Sequence, residues 1–215
     1  MGKIILIAGN SGVGKTTLAN ALCRLRPFVG ALEQHVERPF QALMAADPTR
    51  YALANQLDYF LLRAEQERAI RNGPVDGLID GGLDLDYHAF TQLFTTKGYL
   101  SAAEADLLRR LHAALRAALG PPNLVLYLTA PAAVVEARYA RRGRPLEIAQ
   151  RDDLALLEQF VSGWVAGITD APVITIDAAA EDCYSAERLA ALLAQMDELV
   201  VNQESGITNQ ELKRG

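Results

Sequence analysis

The segment Gly9-Asn10-Ser11-Gly12-Val13-Gly14-Lys15-Thr16 constrains the fold more than any other, because it fits GxxxxGK[ST] between a strand-like run and a helix. Its glycines let successive backbone N–H groups curl around a polyphosphate, and the helix start adds its positive end. Lys15 is then placed for the β and γ phosphates, and the Thr16 hydroxyl for magnesium. Gly9, Asn10, Ser11, Gly12, Val13, Gly14, Lys15, Thr16 and Thr17 are therefore expected to bind ATP with Mg2+. Such a loop sits at the end of a parallel strand, so the rest of the chain should supply a sheet around it.

It does so by alternation. Short apolar runs at Lys3 to Ala8, Phe28 to Leu32, Val75 to Ile79, Leu124 to Leu128 and Val173 to Ile176 read as five strands. Between them lie helical patterns at 15 to 25, 39 to 45, 48 to 72, 85 to 96, 102 to 119, 131 to 142, 150 to 168 and 184 to 199. The expected fold is α/β, a doubly wound five-stranded parallel sheet with helices on both faces. It fills one domain over residues 1–200, followed by a polar tail over 201–215 with too few apolar groups to pack alone.

Composition excludes several classes. A net charge of -5 gives no basic field to hold nucleic acid. Cys23 and Cys183 form no CxxC or Cys/His pattern, so neither a disulfide framework nor zinc is indicated, and a cytoplasmic setting is expected. The uncharged stretch from Ala117 to Val135 is broken by Gly120-Pro121-Pro122-Asn123 and Pro131, so no membrane partner is expected. His35, His88 and His112 fall on separate elements and read as surface or packing residues.

A phosphate loop serves kinases, GTPases and motors alike. The Asn-Lys-x-Asp signature of GTPases is absent and the chain is short for a motor, which favours a small kinase. Glu33 ends the second strand, where ligands sit in open parallel sheets. Downstream come Pro39-Phe40, the helix start Asp47-Pro48, Gln56 and Arg63. Asp80 ends the third strand, Asp86 follows six residues on, and Arg138-x-x-x-Arg142-x-Arg144-x-x-Glu147 follows the fourth. Over Ile4 to about Trp164 this pattern resembles the deoxynucleoside kinase family, most of all its bacterial purine members. The resemblance implies transfer of the ATP γ-phosphoryl group to the 5′-hydroxyl of a deoxynucleoside, purine or deoxycytidine. It also implies a homodimer through the long helices.

The residues themselves suit that chemistry. Gln56 and Arg63 are seven apart, so they project from one helix face about 10 Å apart. With Asp86, Arg63 would offer fixed donors and an acceptor to a base. Glu33 would accept the proton of the attacking hydroxyl. Asp80 would stand by magnesium beside Thr16. Arg138, Arg142 and Arg144 would close as an arginine-rich lid over the transferring phosphoryl group, with Glu147 reaching the sugar.

Two positions depart from the family pattern. Asp80-Gly81-Gly82 lacks an acceptor-side arginine, and Ala45 replaces a sugar-holding tyrosine. Arg38 or Tyr87 is expected to enter the vacated space. The departures keep open a nucleotide-binding structural subunit without catalysis. Arg38 with Arg63 keeps open a kinase for nucleoside monophosphates.

Overall fold

A computed structural model describes residues 1–31, 38–142, 149–180 and 182–204. β1 (Ile4–Ala8) reads IILIA and is buried along its whole length, as a central parallel strand covered on both faces must be. β2 (Val29–Ala31), β3 (Gly77–Asp80), β4 (Leu124–Thr129) and β5 (Val173–Asp177) join it in one parallel sheet of order β2-β3-β1-β4-β5. From β1 the chain crosses to the edge strand β2, returns to β3 beside β1, and then winds the other way through β4 and β5. The crevice at the carboxyl end of β1 is therefore the switch point where such folds bind ligands.

Helices cover both faces. α1 (Lys15–Leu25) and α9 (Ala186–Glu204) enclose a core of Ile5, Ile7, Leu18, Leu22, Leu126 and Met196. On the other face Leu6, Phe60, Leu83, Phe94, Leu108 and Val161 form the second core. They join the sheet to α3 (Pro48–Asn72), α6 (Ala102–Leu119) and α8 (Leu154–Ala166). The termini of α3 and α6 follow from local chemistry. Asp47 caps α3 by accepting from Arg50 N with Pro48 behind it, and Ser101 and Glu104 make a reciprocal capping box for α6.

Three expectations shift. β3 begins at Gly77 and includes Asp80, which puts that carboxylate on the sheet itself. The helix expected from 85 begins at Gly82 as α4 (Gly82–Leu85), widens to a π-helical turn over Asp86–Thr91, and continues as α5 (Gln92–Thr96). α9 runs to Glu204, four residues into the stretch read as tail. α2 (Pro39–Ala46) and α7 (Ala132–Arg142) complete the elements used below.

Candidate active site

The loop after β1 turns through three glycines with φ of +146°, +83° and +118° at Gly9, Gly12 and Gly14, angles that side-chain-bearing residues avoid. At Gly14 a Cβ would also lie 2.5 Å from the Tyr184 hydroxyl, so that side chain would have to move. Tyr184 Oη donates to Gly14 O at 3.4 Å, and burial pushes its phenol up to about 12, so it keeps its proton at neutral pH. Arg138 braces the same loop: Nη1 donates to Val13 O at 2.8 Å and Nη2 to Ala178 O at 2.9 Å.

Two loop side chains that the motif assigns to ATP are committed to the fold. Asn10 Nδ2 donates to Leu154 O at 2.8 Å, and Val13 is 1% exposed in the core. Lys15 Nζ folds back onto Gly9 O and Asn10 O at 3.1 and 3.0 Å. Thr17 is exposed on α1.

Thr16 Oγ1 donates to Asp80 Oδ2 at 2.5 Å. Asp80 is 1% exposed, and its Oδ1 has no hydrogen-bond partner among the described residues. A hydroxyl beside a buried carboxylate with an uncommitted oxygen is the donor set a hard cation takes, so the residues fit Mg2+.

The acceptor side is built by α3 and the π turn. Gln56, Arg63 and Glu67 are 2%, 1% and 1% exposed, which rules out a solvated helix face. Arg63 Nε donates to Asp86 Oδ2 at 3.1 Å, and Arg63 Nη1 to Gln66 Oε1 at 3.3 Å. Gln56 Nε2 donates to Asp86 O at 3.0 Å and to Thr91 Oγ1 at 2.7 Å. Gln56 therefore holds the backbone carbonyl at the start of the π turn, which aims Asp86 at Arg63. A void of about 10 Å³ lies between the phosphate loop at Lys15 and Leu85, Ala89 and Phe90. A larger cavity of about 580 Å³ opens on the other flank of the loop, between Ala132, Val135, Arg151 and Glu158.

Two of the histidines read as surface or packing residues meet, although they lie on separate elements. Asp84, His88 and His112 bring one ligand atom each within 4.8 Å of one another. His112 Nε2 lies 2.8 Å from Asp84 Oδ1 and Arg116 Nε 3.0 Å from the same oxygen. Arg116 Nη1 also donates to Glu67 Oε2 at 2.9 Å, and its Nη2 to Glu67 Oε1. A guanidinium already on the carboxylate works against a dication there. The group is better understood as a network tying α3, α4 and α6 together behind the Arg63–Asp86 pair. Burial drives the His88 imidazole down to about 4, aided by His112, so it is neutral at pH 7. Burial would raise the Asp84 carboxyl, but the His112 hydrogen bond and the Arg116 charge hold it below the usual carboxylate range.

Neither expected replacement enters the space left by Gly81 and Ala45. Arg38 makes a two-point ion pair with Asp58, Nε to Oδ2 at 2.7 Å and Nη2 to Oδ1 at 2.5 Å. Tyr87 stacks on His112 with ring centroids 4.3 Å apart. A Gly81 Cβ would instead meet Leu85 Cδ2 at 3.4 Å and Arg63 Nη2 at 3.7 Å. Glu33, Arg144 and Glu147 lie outside the described residues, as does the Arg142 side chain; of the expected lid arginines only the Arg138 side chain is described, and it braces the phosphate loop. Asn55, Asp84, Arg116 and Tyr184 were not anticipated. An Asp84-x-x-x-His88 spacing, one helical turn, was the available signal for one of them.

With this geometry in place, comparison with known proteins places the chain. The deoxynucleoside kinase family profile matches residues 5–201, and the chain belongs to that family, whose members phosphorylate deoxynucleosides using ATP. A curated relative, deoxyadenosine/deoxycytidine kinase of Bacillus subtilis, is 24% identical over 179 residues, covering 81% of this chain and 82% of the relative. Two structures of deoxyadenosine kinase from M. mycoides share the fold. One, with products dCMP and a flexible dCDP bound, has TM-score 0.77 and 17% identity over 91% of this chain and 99% of the other. The second, with bound dATP, has TM-score 0.75 and 16% identity over 90% and 99%. No helix among the described residues is long and apolar enough to cross a membrane.

Proposed function

We propose that the chain transfers the γ-phosphoryl group of ATP to the 5′-hydroxyl of a deoxynucleoside carrying a purine or cytosine base. The observation that carries this is the buried Arg63–Asp86 pair, 3.1 Å apart, on the acceptor side of the phosphate loop. A carboxylate fixed beside a guanidinium accepts from an exocyclic amino group while the guanidinium donates to a neighbouring ring atom. Adenine and cytosine present such an amino group next to a ring nitrogen, and thymine does not. The names of the B. subtilis and M. mycoides relatives point the same way.

In this reading Glu33 takes the proton from the 5′-hydroxyl, a contribution of roughly 100- to 10,000-fold for a well-placed base. Lys15 leaves the Gly9 and Asn10 carbonyls to hold the β and γ phosphates. Thr16 and Asp80 hold Mg2+, which when bound neutralises charge on those phosphates. Arg142 and Arg144 close over the transferring group, and Glu147 holds the sugar. Arg138 acts one step back, by fixing the loop.

A monophosphate kinase needs guanidinium groups for the extra phosphate. Arg38 is engaged by Asp58 and Arg63 by Asp86, which disfavours that reading. Leu61 on α3 and Leu107 on α6 are 60% and 41% exposed, in keeping with a homodimer through the long helices. The free Cys23 and Cys183 suit a cytoplasmic setting.

Calorimetry on Lys15→Ala and Glu33→Gln tests the division of roles. ATP binding should be lost in the first and retained in the second. Equal loss of ATP affinity in both would remove Glu33 from the acceptor side.

A further inference from the structure

Asn55 is 0% exposed, and neither its Nδ2 nor its Oδ1 has a hydrogen-bond partner among the described residues. A carboxamide brings two donors and an acceptor, and burying all of them unpaired is destabilising. Native structures hold few such groups, so each calls for an explanation. Helix formation does not supply one, because Leu or Ala at this place in α3 would favour the helix more and leave nothing unpaired.

Its position does. The buried arc of α3 carries Ala52, Asn55, Gln56, Tyr59, Phe60, Arg63 and Glu67. At about 100° per residue, Asn55 lies roughly 40° around the helix from Tyr59 and 80° from Arg63. Tyr59 marks the side toward α2, since its hydroxyl donates to Gln41 Oε1 at 3.4 Å. Its ring is also 6.0 Å from Arg63 Cζ. Asn55 thus stands at the α2-ward edge of the wall that ends in the Arg63–Asp86 pair. The adjacent carboxamide, Gln56, already spends its amide nitrogen on Asp86 O and Thr91 Oγ1. Asn55 is the carboxamide of this wall with its hydrogen bonds still to be made.

We infer that Asn55 is a nucleoside-contacting specificity residue, its carboxamide meeting a group of the acceptor that both donates and accepts. This rests on the acceptor being a nucleoside, as proposed above. Two parts of a deoxynucleoside have that chemistry: an amino group beside a ring nitrogen on the base, and the 3′-hydroxyl of the sugar.

The experiment compares the full-length wild type with Asn55→Leu, nearly the same size and apolar, and Asn55→Ala. Thermal unfolding is measured alone and with deoxyadenosine, 2′,3′-dideoxyadenosine, purine 2′-deoxyriboside or deoxycytidine, and KM is measured for nucleoside and ATP. The expected result is a free Asn55→Leu protein that melts above the wild type, since two unpaired atoms are gone. Its KM for deoxyadenosine should rise tenfold or more with KM for ATP unchanged, and Asn55→Ala should show the same KM change. Loss of discrimination against purine 2′-deoxyriboside assigns the contact to the base. Loss against the dideoxynucleoside assigns it to the sugar. A nucleoside KM within twofold of wild type in either folded variant overturns the inference, whatever the melting temperature does. A wild type that responds to none of the four ligands overturns the nucleoside kinase reading, and this inference with it. A responding wild type with equally responding variants overturns Asn55 alone.

Discussion

Thr16 Oγ1 hydrogen-bonds Asp80 Oδ2 across 2.5 Å, tying the first turn of α1 to the last residue of β3. The bond leaves Asp80 Oδ1 buried without a partner among the described residues.

Asp80→Asn keeps the shape and removes the charge. We expect turnover to fall about 100-fold or more, in line with loss of one preorganised electrostatic group. The Mg2+ concentration for half-maximal rate should rise in parallel, with ATP binding in the absence of metal unchanged. Rate measured against free Mg2+ checks this, and an unchanged Mg2+ dependence would take Asp80 away from the metal.

Arg138 separates two roles that the sequence alone merges. Its guanidinium is held by Val13 O and Ala178 O, so Arg138→Ala frees the phosphate loop and leaves two carbonyls without their donor. A lost bond of this type costs about 1–3 kcal/mol. The ATP KM should accordingly rise about tenfold or more, with a smaller change in kcat. A kcat loss of about 1,000-fold at unchanged ATP KM would instead put Arg138 on the transferring phosphoryl group, as its place in the arginine run first suggests.

The Arg63–Asp86 pair should behave as a unit. Removing either partner strands a buried charge, at a cost of about 3–5 kcal/mol. Arg63→Leu and Asp86→Leu should each lower the urea midpoint strongly, and the double variant should lose much less than the sum. In kcat/KM for deoxyadenosine against thymidine the same cycle should show coupling. Strict additivity in both measurements would mean that the pair neither supports the fold nor reads a common base.

His88 stacks on Trp164 with centroids 5.3 Å apart and planes 6° apart. Its folded pKa is lowered to about 4 from an ordinary 6.5, so between those values the unfolded chain binds more protons than the folded one. Stability from this residue is therefore full above pH 6.5 and is lost as pH falls toward 4, by an amount on the order of 2–3 kcal/mol. Denaturant unfolding followed by Trp164 fluorescence at pH 7, 6 and 5 should show the decline. The decline should be shallower in His88→Asn, and equal slopes in the two proteins would exclude His88 as its source.

The sheet, the phosphate loop and the shared face of Gln56 and Arg63 on α3 were legible because each is set by local rules. IILIA ahead of a glycine-rich GKT, and Gln56 seven residues before Arg63, leave few alternatives. The neighbours that hold those residues were not. Asp84, His112 and Arg116 come from two helices and meet only through tertiary packing, and no spacing within α6 announces a partner on α4. The departure at Gly81 also looks different in three dimensions. With φ of +87° and ψ of -80°, residue 81 adopts a backbone that an arginine would strain, so glycine there reflects the turn into α4. Restoring an arginine at this position would test backbone strain more than acceptor chemistry.

The most direct measurement incubates the wild type with γ-phosphate-labelled ATP, Mg2+ and each of the four deoxynucleosides in turn, and identifies the labelled product. We expect 5′-monophosphates of deoxyadenosine, deoxyguanosine or deoxycytidine, with thymidine the poorest acceptor. Label appearing only when nucleoside monophosphates are supplied, or on no nucleoside while ATP still binds, would contradict it.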